Sequence, residues 1–190
     1  DLDAGTDICV YNRSYGIDNV QVSTYNYNNT DASIETTWKD LYEGINRAND
    51  YIPAIESRTE EECGGKQKKA MFIGEAKALR ALYYMNLVAF WGEVPLRLEV
   101  VRDLSQQQLK KSPQSAIYKQ IIQDLLDAEQ ACRPADELNA SGRISKTTVQ
   151  ALLARAYMWE AGYPVEADTW GAALKWARAV SYTHLRAHET

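Results

Sequence analysis

Histidine is nearly absent from this sequence, and cysteine is sparse. The two histidines, His184 and His188, lie near the C-terminus, so residues 1–179 contain none. Histidine is the commonest general base and the usual activator of a Ser or Cys nucleophile. The cysteines, Cys9, Cys63 and Cys132, lie far apart without a C-x-x-C pair, which argues against a zinc or thioredoxin-like site. We therefore predict no catalytic residue, no metal site and no cofactor.

Long apolar runs and basic clusters are also missing. The longest apolar run, Ala81–Trp91, is interrupted by Asn86 and falls short of the roughly 18 residues that a membrane span requires. The 26 acidic side chains outnumber the 21 basic ones, which gives a net charge of −5. Nucleic-acid surfaces need clustered Lys and Arg, so we expect no nucleic-acid partner. With 45% hydrophobic and 25% charged residues, the chain has the composition of a globular protein.

Phenylalanine is scarce among the aromatic residues, with 2 Phe against 12 Tyr and 5 Trp. Tyr and Trp combine an apolar ring with a polar atom and suit half-hydrated surfaces such as interfaces and carbohydrate grooves. The alternative is that they cover a helical core, because several fall at helical spacing. In residues 1–30, tyrosines are interleaved with asparagines without a helical period, and we interpret this segment as a loop region.

Residues 31–179 carry successive helical patterns and no convincing strand. The patterns are joined as hairpins, and paired helices of this kind bury both faces only by stacking on further pairs. We therefore predict an all-α fold of tetratricopeptide-like helical hairpins, an α-solenoid. The first predicted helix starts near Asp31 or Ser33 and is ended by Pro53 and the polar stretch 60–65, and the second runs from about Lys66 to Trp91 with Gly92 as C-cap. The third starts with Ser112 as N-cap and stops before Pro134. The fourth is opened by a Thr147–Gln150 capping box and closed by Gly162 and Pro164, and the fifth covers about 166–179.

The two ends of the sequence differ from the rest. The chain starts at Asp1 without an initiator Met or an apolar export signal. Residues 180–190 resemble the in-frame translation of a transposase-type sequencing adapter, and we interpret them as a non-native tail. His184 and His188 have the i, i+4 spacing of helical metal ligands, but they lie in this tail and no third ligand is indicated. We therefore expect a chain that is truncated at both ends.

Several stretches of the helical region resemble one protein family. Residues 38–49 read WKDLYEGINRAN, residues 74–84 read GEAKALRALYY, and residues 90–96 read FWGEVPL. They are followed by KSP at 111–113 and then, after an intervening helical pattern, by GRISK at 142–146 and ALLARAY at 151–157. Over residues 31–179 the chain is similar to part of the SusD/RagB family of nutrient-uptake outer-membrane lipoproteins.

The resemblance implies a largely α-helical protein on the extracellular face of the bacterial outer membrane. A lipidated cysteine ahead of Asp1, missing from this chain, would hold it there. The resemblance also implies capture of glycans, or of peptides in some members, and delivery to a TonB-dependent transporter of the SusC type. Family members are not enzymes, so we expect no enzymatic activity. The alternative is a helical-repeat protein–protein interaction scaffold without a carbohydrate ligand.

Ligand contacts are expected within residues 1–30, because binding residues tend to lie on loops that a rigid scaffold positions. Aromatic rings can stack on sugar rings, while amide and guanidinium groups can bind hydroxyls. The alternative is a solvated aromatic loop that packs on the helices. The candidates are Tyr11, Arg13, Tyr15, Tyr25, Asn26, Tyr27 and Asn28.

Polar residues within the helical patterns are given structural roles. Glu75 and Arg80, in an otherwise apolar helix, are expected to form buried or interhelical ion pairs. Asn46 and Asn49 are expected to hydrogen-bond neighbouring backbone. The run Glu60–Glu62 is interpreted as solvated charge, because it lacks the opposed carboxylate that glycoside hydrolysis needs.

Overall fold

A computed structural model describes residue 28 and residues 30–100, 108–138 and 142–187, with side chains described as far as residue 182. These residues form five α-helices and one 3₁₀ turn, and none of them belongs to a strand. The predicted all-α fold of helical hairpins is therefore confirmed. The elements are α1 (Ala32–Glu56), α2 (Lys66–Trp91), α3 (Gln114–Ala131), the 3₁₀ turn Ala135–Glu137, α4 (Lys146–Ala161) and α5 (Trp170–Ala187).

Helix α1 begins as predicted but passes through its proline. The Asp31 carboxylate accepts a hydrogen bond from the backbone N–H of Ser33 at 2.9 Å, which is the bond expected of an N-cap residue. Hydrogen bonds from Ser33 also lower the pKa of Asp31. Pro53 does not end the helix, because helical hydrogen bonding resumes beyond it with Ser57 N–H donating to the Pro53 carbonyl at 3.0 Å. Pro53 therefore does not stop the helix as expected, and α1 ends at Glu56, before the polar stretch at 60–65.

Helices α3 and α4 have other N-cap residues than the predicted ones. Ser112 does not cap α3; its N–H donates to the carbonyl of Val94 at 3.0 Å in an isolated bridge, and Pro113 takes the N-cap position. Helix α4 is capped by Ser145, whose hydroxyl accepts from the N–H of Thr148 at 3.1 Å. The predicted capping box was wrong, because its Gln150 instead donates to Glu129 of α3 at 2.9 Å.

Helix α2 has the predicted bounds and lies in the middle of the core. It ends at Gly92, whose φ of 69° is the left-handed conformation that favours glycine. Helix α2 packs against α3, α3 against α4, and α4 against α5. Gly74 of α2 is buried against α3, where an added Cβ would lie 2.7 Å from the Cβ of Ala131. The largest fully buried side chains include Ile45, Tyr84, Met85, Leu87, Ile117, Ile121, Leu125 and Leu153.

Backbone contacts divide the chain into two compact units, residues 1–40 and residues 41–190. The core just described belongs to the second unit. Within that unit, α1 contacts α2 through Gly44, where an added Cβ would lie 2.5 Å from the ring of Tyr83. Only a residue without a side chain allows that ring to pack so closely on the helix backbone.

Helix α5 covers a different range from the predicted 166–179. It starts at Trp170 and extends to Ala187, into the segment interpreted as a tail. Its Ala173 is buried, whereas Trp170 and Leu174 are 58% and 52% exposed. The apolar residues that indicate this helix in the sequence thus lie on its exposed side, and the buried face is centred on the neighbouring position, Ala173.

Candidate functional site

The predicted ligand residues fall largely outside the described residues. Tyr11, Arg13, Tyr15, Tyr25, Asn26 and Tyr27 all lie there, so their assignment stays a prediction. Asn28 is placed, and it is exposed. Its side-chain oxygen accepts hydrogen bonds from the N–H of Thr30 at 2.9 Å and from the Thr30 hydroxyl at 2.6 Å. Because both lone pairs of that oxygen are used, the amide nitrogen is the group that Asn28 can offer to a ligand.

A buried polar cluster joins α1, α2 and α3, and we call its members Asn49, Arg80 and Asp124 the Arg80 cluster. Arg80 donates from Nε to Oδ2 of Asp124 at 2.8 Å and from Nη2 to Oδ1 at 2.7 Å. Its Nη1 donates to Oδ1 of Asn49 at 2.8 Å. Arg80 is 7% exposed, and Asn49 and Asp124 are each 1% exposed. The two charges neutralise each other inside the core, so the cluster holds helices together and is not open to a ligand.

A second interhelical ion pair lies at the surface of the core. Arg143, in the turn before α4, donates from Nε to Oε1 of Glu75 on α2 at 2.9 Å and makes a second bond to Oε2. The Arg143 guanidinium lies 5.4 Å from the ring centroid of Phe72, within cation–π range. The hydrogen bond to Glu75 raises the pKa of Arg143. The predicted structural roles of Glu75 and Arg80 are confirmed, each with a partner on another element.

The remaining polar predictions differ in outcome. Asn49 donates to the backbone carbonyl of Arg97 at 3.2 Å, as expected. Asn46 does not meet the expectation, because its buried Oδ1 has no hydrogen-bond partner in the part of the chain that the structure describes. Glu60–Glu62 is exposed, as expected of a solvated charge run.

The described cysteines are withdrawn from solvent. Cys63 and Cys132 are both buried and free, and burial raises the pKa of the Cys132 thiol to about 11. Among the side chains that the structure describes, no group of three His, Cys, Asp or Glu residues is arranged to hold a metal ion. No helix within the described ranges combines the length and the apolar character needed to cross a membrane.

Exposed aromatic rings outside residues 1–30 were not singled out from the sequence as ligand candidates. Tyr163, in the turn between α4 and α5, is 89% exposed, and Trp170 starts the next helix. Phe90, at the end of α2, is 47% exposed and meets Trp91 edge-on with ring centroids 5.6 Å apart. Sequence periodicity predicts that such residues belong to helices, but it does not reveal which of them remain in solvent.

Comparison with known proteins identifies the family. A family model described as starch-binding and associating with the outer membrane matches residues 5–158. The chain belongs to this SusD-like family. The resemblance seen in the sequence motifs is thereby confirmed.

Individual SusD-like relatives agree with this assignment. A SusD-like protein of Formosa agariphila is 27% identical over 173 residues, which cover 84% of this chain and 32% of that protein. The crystal structure of a SusD homologue from Bacteroides thetaiotaomicron is 31% identical, with a TM-score of 0.74 over 85% of this chain and 31% of the homologue. A laminarin-binding SusD-like protein is 30% identical, with a TM-score of 0.68 over 86% of this chain and 34% of that protein. The chain thus spans about a third of the length of these relatives.

Proposed function

We propose that this protein is a non-enzymatic cell-surface binding protein that captures glycans and delivers them to a TonB-dependent outer-membrane transporter of the SusC type. The observation that carries the proposal is the family match over residues 5–158, because the family is described by starch binding and outer-membrane association. The laminarin-binding relative adds a second polysaccharide to the ligands named for similar proteins. The protein would act by binding alone, as a carrier that hands an unmodified glycan to its partner.

The proposed location is the extracellular face of the bacterial outer membrane. A lipid anchor on a cysteine ahead of Asp1 would hold the protein there. The transporter would be its protein partner, since capture at the surface serves uptake only when the glycan passes to a channel.

The proposed ligand contacts are the rings and polar groups of residues 1–30. Tyr11, Tyr15, Tyr25 and Tyr27 would stack on sugar rings, while Arg13, Asn26 and Asn28 would bind hydroxyls. Asn28 would donate from its amide nitrogen, because Thr30 occupies its oxygen. One face of a tyrosine ring buries roughly 60 Å² against a sugar, which at about 25 cal/mol per Å² corresponds to about tenfold in affinity per ring.

A glycan panel tests the proposal. The protein is titrated by calorimetry or affinity electrophoresis against laminarin, starch and a range of other polysaccharides and oligosaccharides. We expect binding to at least one of them and a loss of about tenfold in affinity for Tyr25→Ala and for Tyr27→Ala. The matched control is Tyr163→Ala, which removes an exposed tyrosine outside residues 1–30 and is expected to leave affinity unchanged.

Different outcomes would count against different parts of the proposal. Unchanged affinity in Tyr25→Ala and Tyr27→Ala would remove these residues from the site while leaving glycan capture intact. A folded protein that binds no member of the panel would favour the helical-repeat scaffold without a carbohydrate ligand. Delivery is tested separately, by co-purification with a SusC-type transporter encoded beside the gene.

A further inference from the structure

The connector between α2 and α3 is described at residues 92–100 and 108–113, and there it is held by side chains more than by backbone pairing. Among its described residues, the bridge from Ser112 N–H to the Val94 carbonyl is the one backbone hydrogen bond that links its two arms. At Pro95 and Arg97 the connector backbone instead meets side chains from α1 and α2. The Tyr42 hydroxyl donates to the carbonyl of Pro95 at 2.8 Å. Side-chain groups therefore fix the first arm of the connector to the helices.

Tyr84 of α2 binds both backbone groups of one connector residue. Its hydroxyl donates to the carbonyl of Arg97 at 2.8 Å and accepts from the N–H of Arg97 at 2.7 Å. Tyr84 is fully buried, and burial raises its pKa to about 12, so the hydroxyl keeps its proton at neutral pH. One hydroxyl thus satisfies the donor and the acceptor that a neighbouring strand would otherwise satisfy.

The Arg80 cluster reaches the same residue of the connector. Asn49 donates from Nδ2 to the Arg97 carbonyl at 3.2 Å, while its Oδ1 accepts from Arg80. A guanidinium group only donates, so Arg80 determines which end of the Asn49 amide faces the connector. Arg80 is itself oriented by the two bonds to Asp124, and Gln120 donates to the same carboxylate at 3.0 Å. A continuous chain of hydrogen bonds, buried at Arg80, therefore runs from α3 to the connector.

We propose that Asp124 is a positioning residue for the connector and acts through Arg80 and Asn49. A side chain on α3 that does not itself touch the connector thus controls how firmly the connector is held against the helices. Replacing Asp124 removes the two hydrogen bonds that orient the Arg80 guanidinium. The Asn49 amide then loses the fixed partner that sets its own orientation. The Arg97 backbone keeps Tyr84 but loses the second anchor on its carbonyl. This coupling is independent of what the protein binds.

Amide hydrogen exchange measured by NMR tests the direct contact first. The readout is the exchange rate of the Arg97 amide relative to core amides of α3 that exchange only on global unfolding. Tyr84→Phe removes the acceptor of that amide, and we expect its exchange to accelerate about tenfold or more. Tyr83→Phe is the matched control, because its hydroxyl has no hydrogen-bond partner among the described residues. The control is expected to leave Arg97 exchange within about twofold of wild type.

The coupling itself is tested by replacing Asn49 and Asp124 in turn. Asn49→Asp keeps an oxygen for Arg80 but replaces the donor that faces the Arg97 carbonyl, so Arg97 exchange should accelerate several-fold while the core amides stay protected. Asp124→Asn should accelerate Arg97 exchange in the same way. Its matched control, Asp127→Asn, breaks another contact between α2 and α3, the 2.6 Å ion pair with Lys77. That control is expected to leave the Arg97 amide unchanged.

Two results would overturn the inference. One is an Arg97 exchange rate in Asn49→Asp that stays within about twofold of wild type. The other is an equal acceleration in Asp124→Asn and Asp127→Asn, which would mean that any loosening between α2 and α3 releases the connector. Should Asp124→Asn fail to fold, Asn49→Asp still tests the link from Asn49 to Arg97 on which the proposed coupling depends, and unchanged Arg97 exchange in that variant overturns the proposal.

Discussion

Replacing Gly74 by alanine is expected to destabilise the protein, although alanine is the better helix former. The Cβ added at Gly74 would lie 2.7 Å from the Cβ of Ala131 on α3 and 3.4 Å from the Cα of Ala128. Carbon atoms pack at about 3.5–4.0 Å, so the two helices would have to separate by about 1 Å. Overpacking of this kind costs about 1–3 kcal/mol, whereas the gain in helix propensity is about 1 kcal/mol. The net expectation is a loss of up to about 2 kcal/mol.

Thermal unfolding followed by circular dichroism measures this effect. For a chain of this size a loss of 1 kcal/mol lowers the Tm by about 2–4 °C. The matched control is Gly171→Ala in α5, where the added Cβ would meet nothing within 4 Å and stability should rise by at most about 1 kcal/mol. Ala131→Gly should rescue Gly74→Ala, with a coupling of about 1–3 kcal/mol in the double-mutant cycle, because it removes the atom that the new Cβ meets. Equal stabilisation by both alanine variants, or no rescue, would refute the close approach of α2 and α3.

Two further predictions follow from buried titratable groups. Burial raises the pKa of the Cys132 thiol to about 11, so only about one thiol in a thousand is ionised at pH 8. Peptide mapping should therefore find Cys132 unalkylated by iodoacetamide until the protein is unfolded. Rapid alkylation of the folded protein would show that the thiol is open to solvent. Burial also raises the pKa of Glu160, so its contribution to stability is present below its unfolded pKa and is lost as the pH rises through the folded value. Glu160→Gln should therefore gain Tm relative to wild type between pH 4 and pH 7, and a difference that stays constant over this range would contradict the assignment.

Helix positions were predictable where the sequence itself carries the stop signals. The end of helix α2 at Trp91 was predicted because a glycine and then Pro95 follow it, and Gly92 does adopt the positive φ that favours glycine. The starts of α3 and α4 were missed because the competing partners are distant in sequence. The backbone N–H of Ser112 donates to the Val94 carbonyl, so Ser112 belongs to the bridge and the cap position passes to Pro113. The Gln150 side chain turns to Glu129 on α3 and not back to the start of its own helix. Local rules fail where a contact with a distant part of the chain holds the residue in another position.

The contacts of the polar and aromatic side chains were also predictable only where the sequence alone carries the signal. The sequence shows that Arg80 is a charge in an apolar helix, and a charge there requires a partner. It does not reveal that the partner is Asp124, because the two are 44 positions apart and lie on different helices. The apolar spacing of Trp170 and Leu174 predicts α5, but it does not distinguish the side that packs on α4 from the side left in solvent. Such outcomes depend on which helices meet, and a helical period in one segment carries no information about its neighbours.

The Arg80 cluster is better understood as setting the arrangement of the helices than as adding stability. A buried ion pair roughly offsets its own desolvation, so an apolar replacement of the same volume is often no less stable. Removing a single partner, however, leaves an uncompensated charge and costs about 3–5 kcal/mol. Arg80 takes one partner from α1 and one from α3, so sliding either helix by one turn against α2 would incur that kind of penalty. A shift by one turn costs less where only apolar side chains meet, because hydrophobic burial does not depend on direction. The cluster therefore selects one register for α1, α2 and α3, and through Asn49 it carries that register to the connector.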